Sequence, residues 1–145
     1  MQYPLSAASE AVMQHAWNEA ARLKHDFLGS EHILLGLVTN PESATARILT
    51  SQGVTLARVR EEVEAIVGPG RPGYSPDDLG LTDNSHRILK TATQSAKEQA
   101  SIEPEHMLLG LCAVTHSTAA QILCDLRASP NSLRMLVQRH LSERD

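Results

Sequence analysis

Two acid–imidazole pairs, Glu31-His32 and Glu105-His106, are the residues in this chain most suggestive of chemistry. A carboxylate beside an imidazole could serve general acid–base catalysis or contribute to a metal site. The spacing argues against both. Neighbouring helical positions diverge by about 100°, and the His-Glu-x-x-His spacing of zinc hydrolases is absent. No Gly-rich stretch ends in Gly-Lys-Ser/Thr, and there is no Gly-x-Ser-x-Gly elbow. The expectation is a chain without catalytic residues, metal or cofactor. A small helical hydrolase built on the Glu-His pairs is the alternative, and it requires both pairs to converge in one cleft. His32 and His106 are read as half-buried helix-start histidines bonded to the connecting turn. Glu31 and Glu105 are read as exposed first-turn carboxylates favoured by the helix dipole. Beside a capping hydroxyl, each also makes a small anionic pocket suited to a guanidinium or a backbone N–H donor.

Both pairs belong to a longer duplicated stretch. Gly29-Ser30-Glu31-His32-Ile33-Leu34-Leu35-Gly36-Leu37 returns as Glu103-Pro104-Glu105-His106-Met107-Leu108-Leu109-Gly110-Leu111, an offset of 74 (Glu31 to Glu105). Ser43, Ala46, Ile48, Leu49, Arg60 and Val63 recur at that offset as Ser117, Ala120, Ile122, Leu123, Arg134 and Val137. Upstream the offset is 76: Leu5, Ala16 and Ala20 recur as Leu81, Ala92 and Ala96, with Ser6 matched by Thr82. The change of offset places a two-residue deletion near Ala100-Ser101, and a period of this kind marks a duplicated structural unit.

The elements that must position these residues read as helices. Ser6 caps a first helix whose apolar face is Val12, Met13, Ala16, Trp17, Ala20 and Leu23. His25-Asp26-Phe27-Leu28-Gly29 reads as a turn. A second helix starts near Ser30 and ends at Asn40-Pro41. Ser43 caps a third that Gln52-Gly53 stops, and Thr55 caps a fourth with an acidic outer side at Glu61, Glu62 and Glu64. Leu34, Leu35, Leu37 and their copies Leu108, Leu109 and Leu111 are expected in the core. Gly36 and Gly110 are expected to permit close helix approach, since an interior Gly otherwise costs about 1 kcal/mol relative to Ala. The predicted fold class is all-α: two tandem four-helix repeats, residues 5–67 and 81–141, joined by a Gly/Pro-rich linker over 68–80 and packed about a pseudo-two-fold axis as one domain over residues 1–145.

Composition agrees. The chain has 145 residues, 41% hydrophobic but only 3% aromatic, so its core is aliphatic, as suits packed helices. A net charge of -4 with no basic cluster argues against nucleic acid. No apolar run approaches the roughly 18 residues of a membrane helix, no signal peptide is evident, and a cytoplasmic location is expected. Cys112 and Cys124 are expected to be buried reduced thiols rather than a disulfide.

The duplicated motif, preceded by Asn18-Glu19-Ala20-Ala21-Arg22-Leu23-Lys24-His25, resembles the Clp N-terminal repeat found at the front of ClpC- and ClpA-type AAA+ unfoldases, over about residues 5–141. The resemblance implies an all-α, non-catalytic domain that docks adaptor proteins and recruits substrate proteins for unfolding and degradation by the ClpP peptidase. The partners it implies are an unfoldase, or an ATPase module of the same protein, with adaptors, substrates and the ClpP core. A free-standing accessory protein similar to plastid ClpT is the second reading, with the plastid stroma as its location. In ClpC-like members the Thr opening the first helix and the Glu of Gly-Thr-Glu-His bind phosphoarginine-marked substrates. The resemblance carries those roles to Ser6 and Glu31 in the first repeat and to Thr82 and Glu105 in the second. Leu5 and Leu81 depart from the family's Phe, and Ser30 and Pro104 from its Thr. Ser6 and Glu31 are expected side by side, at facing helix starts, with the second repeat's site weakened by a shortened turn.

Overall fold

The structure is a computed structural model that describes residues 3–70, 80–97 and 99–144. Its described residues form eight helices in two sets of four: α1 (Ala7–Arg22), α2 (Ser30–Thr39), α3 (Ala44–Ser51) and α4 (Leu56–Ile66), then α5 (Asp83–Ala96), α6 (Pro104–Ala113), α7 (Thr118–Asp125) and α8 (Pro130–Arg144). The all-α double repeat is thus present. Residues 71–79, most of the expected linker, lie outside the described residues.

The starts are set by side-chain caps. The hydroxyls of Ser6, Ser43, Thr55, Thr82 and Ser117 each accept from the backbone N–H three residues on, filling donors a helix start leaves open. α3 stops where Gly53 turns left-handed, at φ 83°. Its counterpart after α7 is Arg127, left-handed at φ 61°, a conformation that disfavours any residue with a Cβ.

The two missing residues are taken from a helix rather than from the turn. α1 has 16 residues and α5 has 14, and the connections to α2 and α6 are equally long, so the turn before Glu105 is not shortened. Within each half the first two helices pack closely and antiparallel. A Cβ at Gly36 would strike the Val12 carbonyl, and one at Gly110 would strike the Ile88 carbonyl.

The turn between α1 and α2 contains a short strand, β1 (Phe27–Leu28), parallel to β2 (Gly80–Leu81) at the end of the linker. The same geometry recurs as a parallel bridge between Leu5 and Ile102. In each case the connection inside one repeat pairs with the segment opening the other. Period-based reading could not find these contacts, because two residues carry no alternation.

One aliphatic cluster spans both halves, with Leu28, Ile33, Leu34, Leu35, Ile88, Leu108 and Leu111 fully buried. Each such side chain contributes about 1.5–3 kcal/mol by leaving water. Leu109 is a correction: it is only partly buried against the cluster, although Leu35 is fully buried. Cys112 is buried, and burial pushes its thiol up to about 12, whereas Cys124 is exposed, against the expectation of two buried thiols. Both are free. No single helix among the described residues is long and apolar enough to cross a membrane.

Candidate functional site: two crossed pockets at converging helix starts

Ser6 and Glu31 do not meet. Because α1 and α2 are antiparallel, with Gly36 against Val12 and Ala16, Ser6 lies beyond the C-terminal end of α2 and Glu31 at its N-terminal end. Some eleven helical positions, roughly 16 Å at about 1.5 Å each, separate the two levels. Thr82 and Glu105 are kept apart in the same way by α5 and α6, with Gly110 against Ile88 and Ala92. The partners are exchanged instead.

Two backbone junctions make the exchange. The Thr82 N–H donates to the Leu28 carbonyl at 3.0 Å, and the Ser85 hydroxyl donates to the same oxygen at 2.8 Å. In the other half the Ser6 N–H donates to the Ile102 carbonyl at 3.0 Å and the Ser9 hydroxyl at 2.7 Å. Ser9 and Ser85 are fully buried. They recur at the offset of 76, which was the available signal for their role. Each junction carries a helix start from one repeat to the glutamate of the other.

Glu31 and Thr82 therefore line one pocket, of about 380 Å³, with Phe27, Ser30, Asn84, Thr118, Ile66 and Val67. The starts of α2, α5 and α7 converge there, each bringing the positive end of its dipole. Glu105 lines a pocket of about 400 Å³ with Ala8, Ser43, Ala44, Thr45, Glu103 and His140, where α6, α1 and α3 begin. Thus Thr82 lines the Glu31 pocket, and α1, capped by Ser6, begins at the Glu105 pocket, where Ala8 rather than Ser6 forms the wall.

The hydroxyls show the same exchange. Ser30 accepts from the Ala119 N–H at the start of α7, at 3.0 Å. Its counterpart Pro104 has no hydroxyl, but the counterpart of Ala119 is Thr45. The second pocket thus has the hydroxyls of Ser43 and Thr45 in its wall, both contributed by the start of α3 instead of α6.

Glu31 is not exposed as expected. It is 3% exposed, and its carboxylate lies over Gly29, where a Cβ would collide with it. Burial raises its pKa above the usual carboxylate range, offset in part by its own N–H and by His25. Among the described residues no Lys or Arg forms a salt bridge with it. Glu105 is also buried, at 6%, and His140 Nε2 stands 3.2 Å from its Oε2.

The histidines are structural in a way the sequence only half suggests. The Gly29 N–H donates to His32 Nδ1 at 2.8 Å, so His32 Nε2 carries the proton it shares with His25 Nδ1, 2.8 Å away. His25 Nε2 in turn donates to the Gly68 carbonyl at 2.6 Å, tying the end of α4 to the α1–α2 turn. His32 is fully buried, not half-buried, and burial, then His25, lowers its pKa to about 3. In the second copy the Glu103 N–H donates to His106 Nδ1 at 2.9 Å. Among the described residues no group of three or more His, Cys, Asp or Glu is arranged to hold a metal.

Glu19 was not singled out by its sequence context, being one of several acidic residues on amphipathic helices. It is buried and chelated by Arg60, at 3.1 and 2.6 Å, with Arg22 at 3.2 Å. Burial alone would raise its carboxyl, but Arg60 and then Arg22 more than offset that and hold it low. The fork ties α1 to α4 at the back of the first half. Its counterpart in α5 is Ser95.

The Clp repeat (R) N-terminal domain profile matches residues 5–100 and 81–145. The rice (Oryza sativa subsp. japonica) chloroplastic chaperone protein ClpC1 is 37% identical over 134 residues, which are 91% of this chain and 14% of that protein. ClpC of Staphylococcus epidermidis, an ATP-dependent Clp protease ATP-binding subunit, is 32% identical over 94% of this chain and 17% of its own length. The chain therefore spans about one-seventh of the curated relatives it matches. Among solved structures, the N-terminal domain of ClpD from Arabidopsis thaliana superposes with a TM-score of 0.79 at 23% identity, over 95% of this chain and 97% of that one. The Hsp104 N-terminal domain from Candida albicans gives 0.74 at 13% identity, over 92% and 89%. On the two repeat matches and this shared architecture, the chain belongs to the Clp repeat N-terminal domain family.

Proposed function

We propose that this domain is a non-catalytic docking module of a Clp-type unfolding and proteolysis system, recruiting substrate and adaptor proteins through a group that is both anionic and guanidinium-bearing, of the phosphoarginine kind. One observation carries the ligand reading: Glu31 is a buried carboxylate with a raised pKa and no salt bridge to a Lys or Arg among the described residues, set where three helix starts converge. The helix starts suit the phosphoryl oxygens, and the carboxylate suits the guanidinium as a charge-assisted partner. Thr82 adds a hydroxyl to the same wall. At the other pocket Glu105 takes the corresponding place, and Ser6 caps the helix that begins there.

The non-catalytic reading is supported by the imidazoles. His32 uses both ring nitrogens within the fold, and His106 accepts from a turn N–H. Glu31 and Glu105 line separate pockets rather than the one cleft a hydrolase needs, and His32 and His106 are buried behind them. As a partner we infer an unfoldase of the ClpC/ClpA kind, covalently joined or separate; a free-standing accessory role on the protease core is the second reading, and pull-down with a ClpC hexamer and a ClpP core distinguishes them. The ligand reading is tested by isothermal titration calorimetry with phosphoarginine. The parent chain should bind saturably and Glu31→Gln should lose at least about tenfold in affinity, the weight of one charged hydrogen bond. Absence of binding by the parent would leave a docking module that reads some other group.

A further inference from the structure

We propose that the two crossed pockets are unequal: His140 engages the Glu105 carboxylate from within the chain, so Glu31 is the stronger guanidinium site of the free domain. This rests on the guanidinium reading above. The two carboxylates are held differently. Glu31 folds over Gly29, into space that exists because position 29 has no Cβ. Its counterpart position holds Glu103, whose Cβ fills that space, so the Glu105 carboxylate must point elsewhere. It is found against His140 of α8, with Nε2 and Oε2 3.2 Å apart. An imidazole donates through Nε2–H both when protonated and in the matching neutral tautomer, so the contact does not require acid.

The first half has no imidazole at the equivalent place, and His25 acts on Glu31 only electrostatically. At the offset of 74 His140 corresponds to Ile66, which lines the Glu31 pocket and has no donor to offer. Phe27 adds a second difference. Its ring lines the Glu31 pocket and is stacked on His25 at 5.1 Å and 13°, a fixed aromatic face against which a planar guanidinium can lie. The corresponding residue in the other half is Ser101. A guanidinium entering the Glu105 pocket must displace the imidazole and finds no such aromatic counterpart. At Glu31 it meets a buried carboxylate and an aromatic face.

The experiment is an amide NMR titration with phosphoarginine, reading Thr82 and Asn84 for one pocket and Ala8 and Thr45 for the other. The parent chain should respond at the Glu31 pocket with a midpoint about tenfold lower than at the Glu105 pocket. His140→Ala should lower the second midpoint about tenfold and leave the first unchanged. The reciprocal Ile66→His should place an imidazole beside Glu31 and raise the first midpoint by a similar factor. Equal midpoints in the parent, or a second midpoint indifferent to His140→Ala, would overturn the inequality while keeping the ligand reading. No response at either pocket, in the parent and both variants, would remove the ligand reading and the inequality with it.

Discussion

At the scale of the residue, the site is a place where folding and binding oppose each other. A carboxylate buried without a counter-cation is held at a cost to the fold. Glu31 has a raised pKa, so its contribution to stability is full below the unfolded value of 4.5 and is lost as pH rises through the raised one. Glu31→Gln should therefore melt a few degrees higher than the parent near pH 7, with the gap closing towards pH 4. His32 carries the opposite sign. Its folded value of about 3 lies below the ordinary 6.5, so its contribution is present above pH 6.5 and is lost as pH falls towards 3. The loss is up to about 1.4 kcal/mol per pH unit. In the Glu31→Gln background, scanning calorimetry from pH 7 to 5 should show that decline without the opposing contribution of Glu31. A Glu31→Gln variant that melts lower than the parent at pH 7 would mean that the empty pocket already compensates the charge. The sequence made Glu31 and His32 visible by duplication. It could not show their burial, because a first-turn carboxylate is normally solvated and only the junction between repeats covers this one.

At the scale of the element, the helices were legible and their junctions were not. Ser6, Ser43, Thr55 and the left-handed Gly53 mark their boundaries by local chemistry, and the structure follows them. Gly36 and Gly110 were legible for the same reason, as interior glycines that only a close approach explains. Gly36→Ala should cost about 1–3 kcal/mol or more, because the added methyl meets the Val12 carbonyl rather than a movable side chain. Gly80→Ala, where nothing lies within 4 Å, should be nearly neutral when both variants are compared by urea titration. Comparable effects in both would show that helix approach does not set the requirement at position 36. The Glu19–Arg60 fork and the two-residue strand Phe27–Leu28 escaped notice, since each is defined by a partner far away in sequence.

At the scale of the whole molecule, duplication explains why the pockets are composite. A four-helix repeat places its own cap and glutamate at opposite ends of an antiparallel pair, so one repeat cannot complete a pocket. Two repeats exchanging their opening segments complete two. Leu28 and Ile102 are the hinges of that exchange, each accepting a backbone and a hydroxyl donor from the other half. The offset in the sequence revealed two copies but not which residues of each copy would meet. That pairing is the central claim, and calorimetric titration of phosphoarginine into Thr82→Ala and Ser6→Ala tests it most directly. Each loses one helix cap, worth about 0.5–2 kcal/mol of stability, so the two variants control for one another. The crossed arrangement predicts weakened binding for Thr82→Ala, with Ser6→Ala matching the parent. Weakened binding for Ser6→Ala, with Thr82→Ala matching the parent, would contradict it.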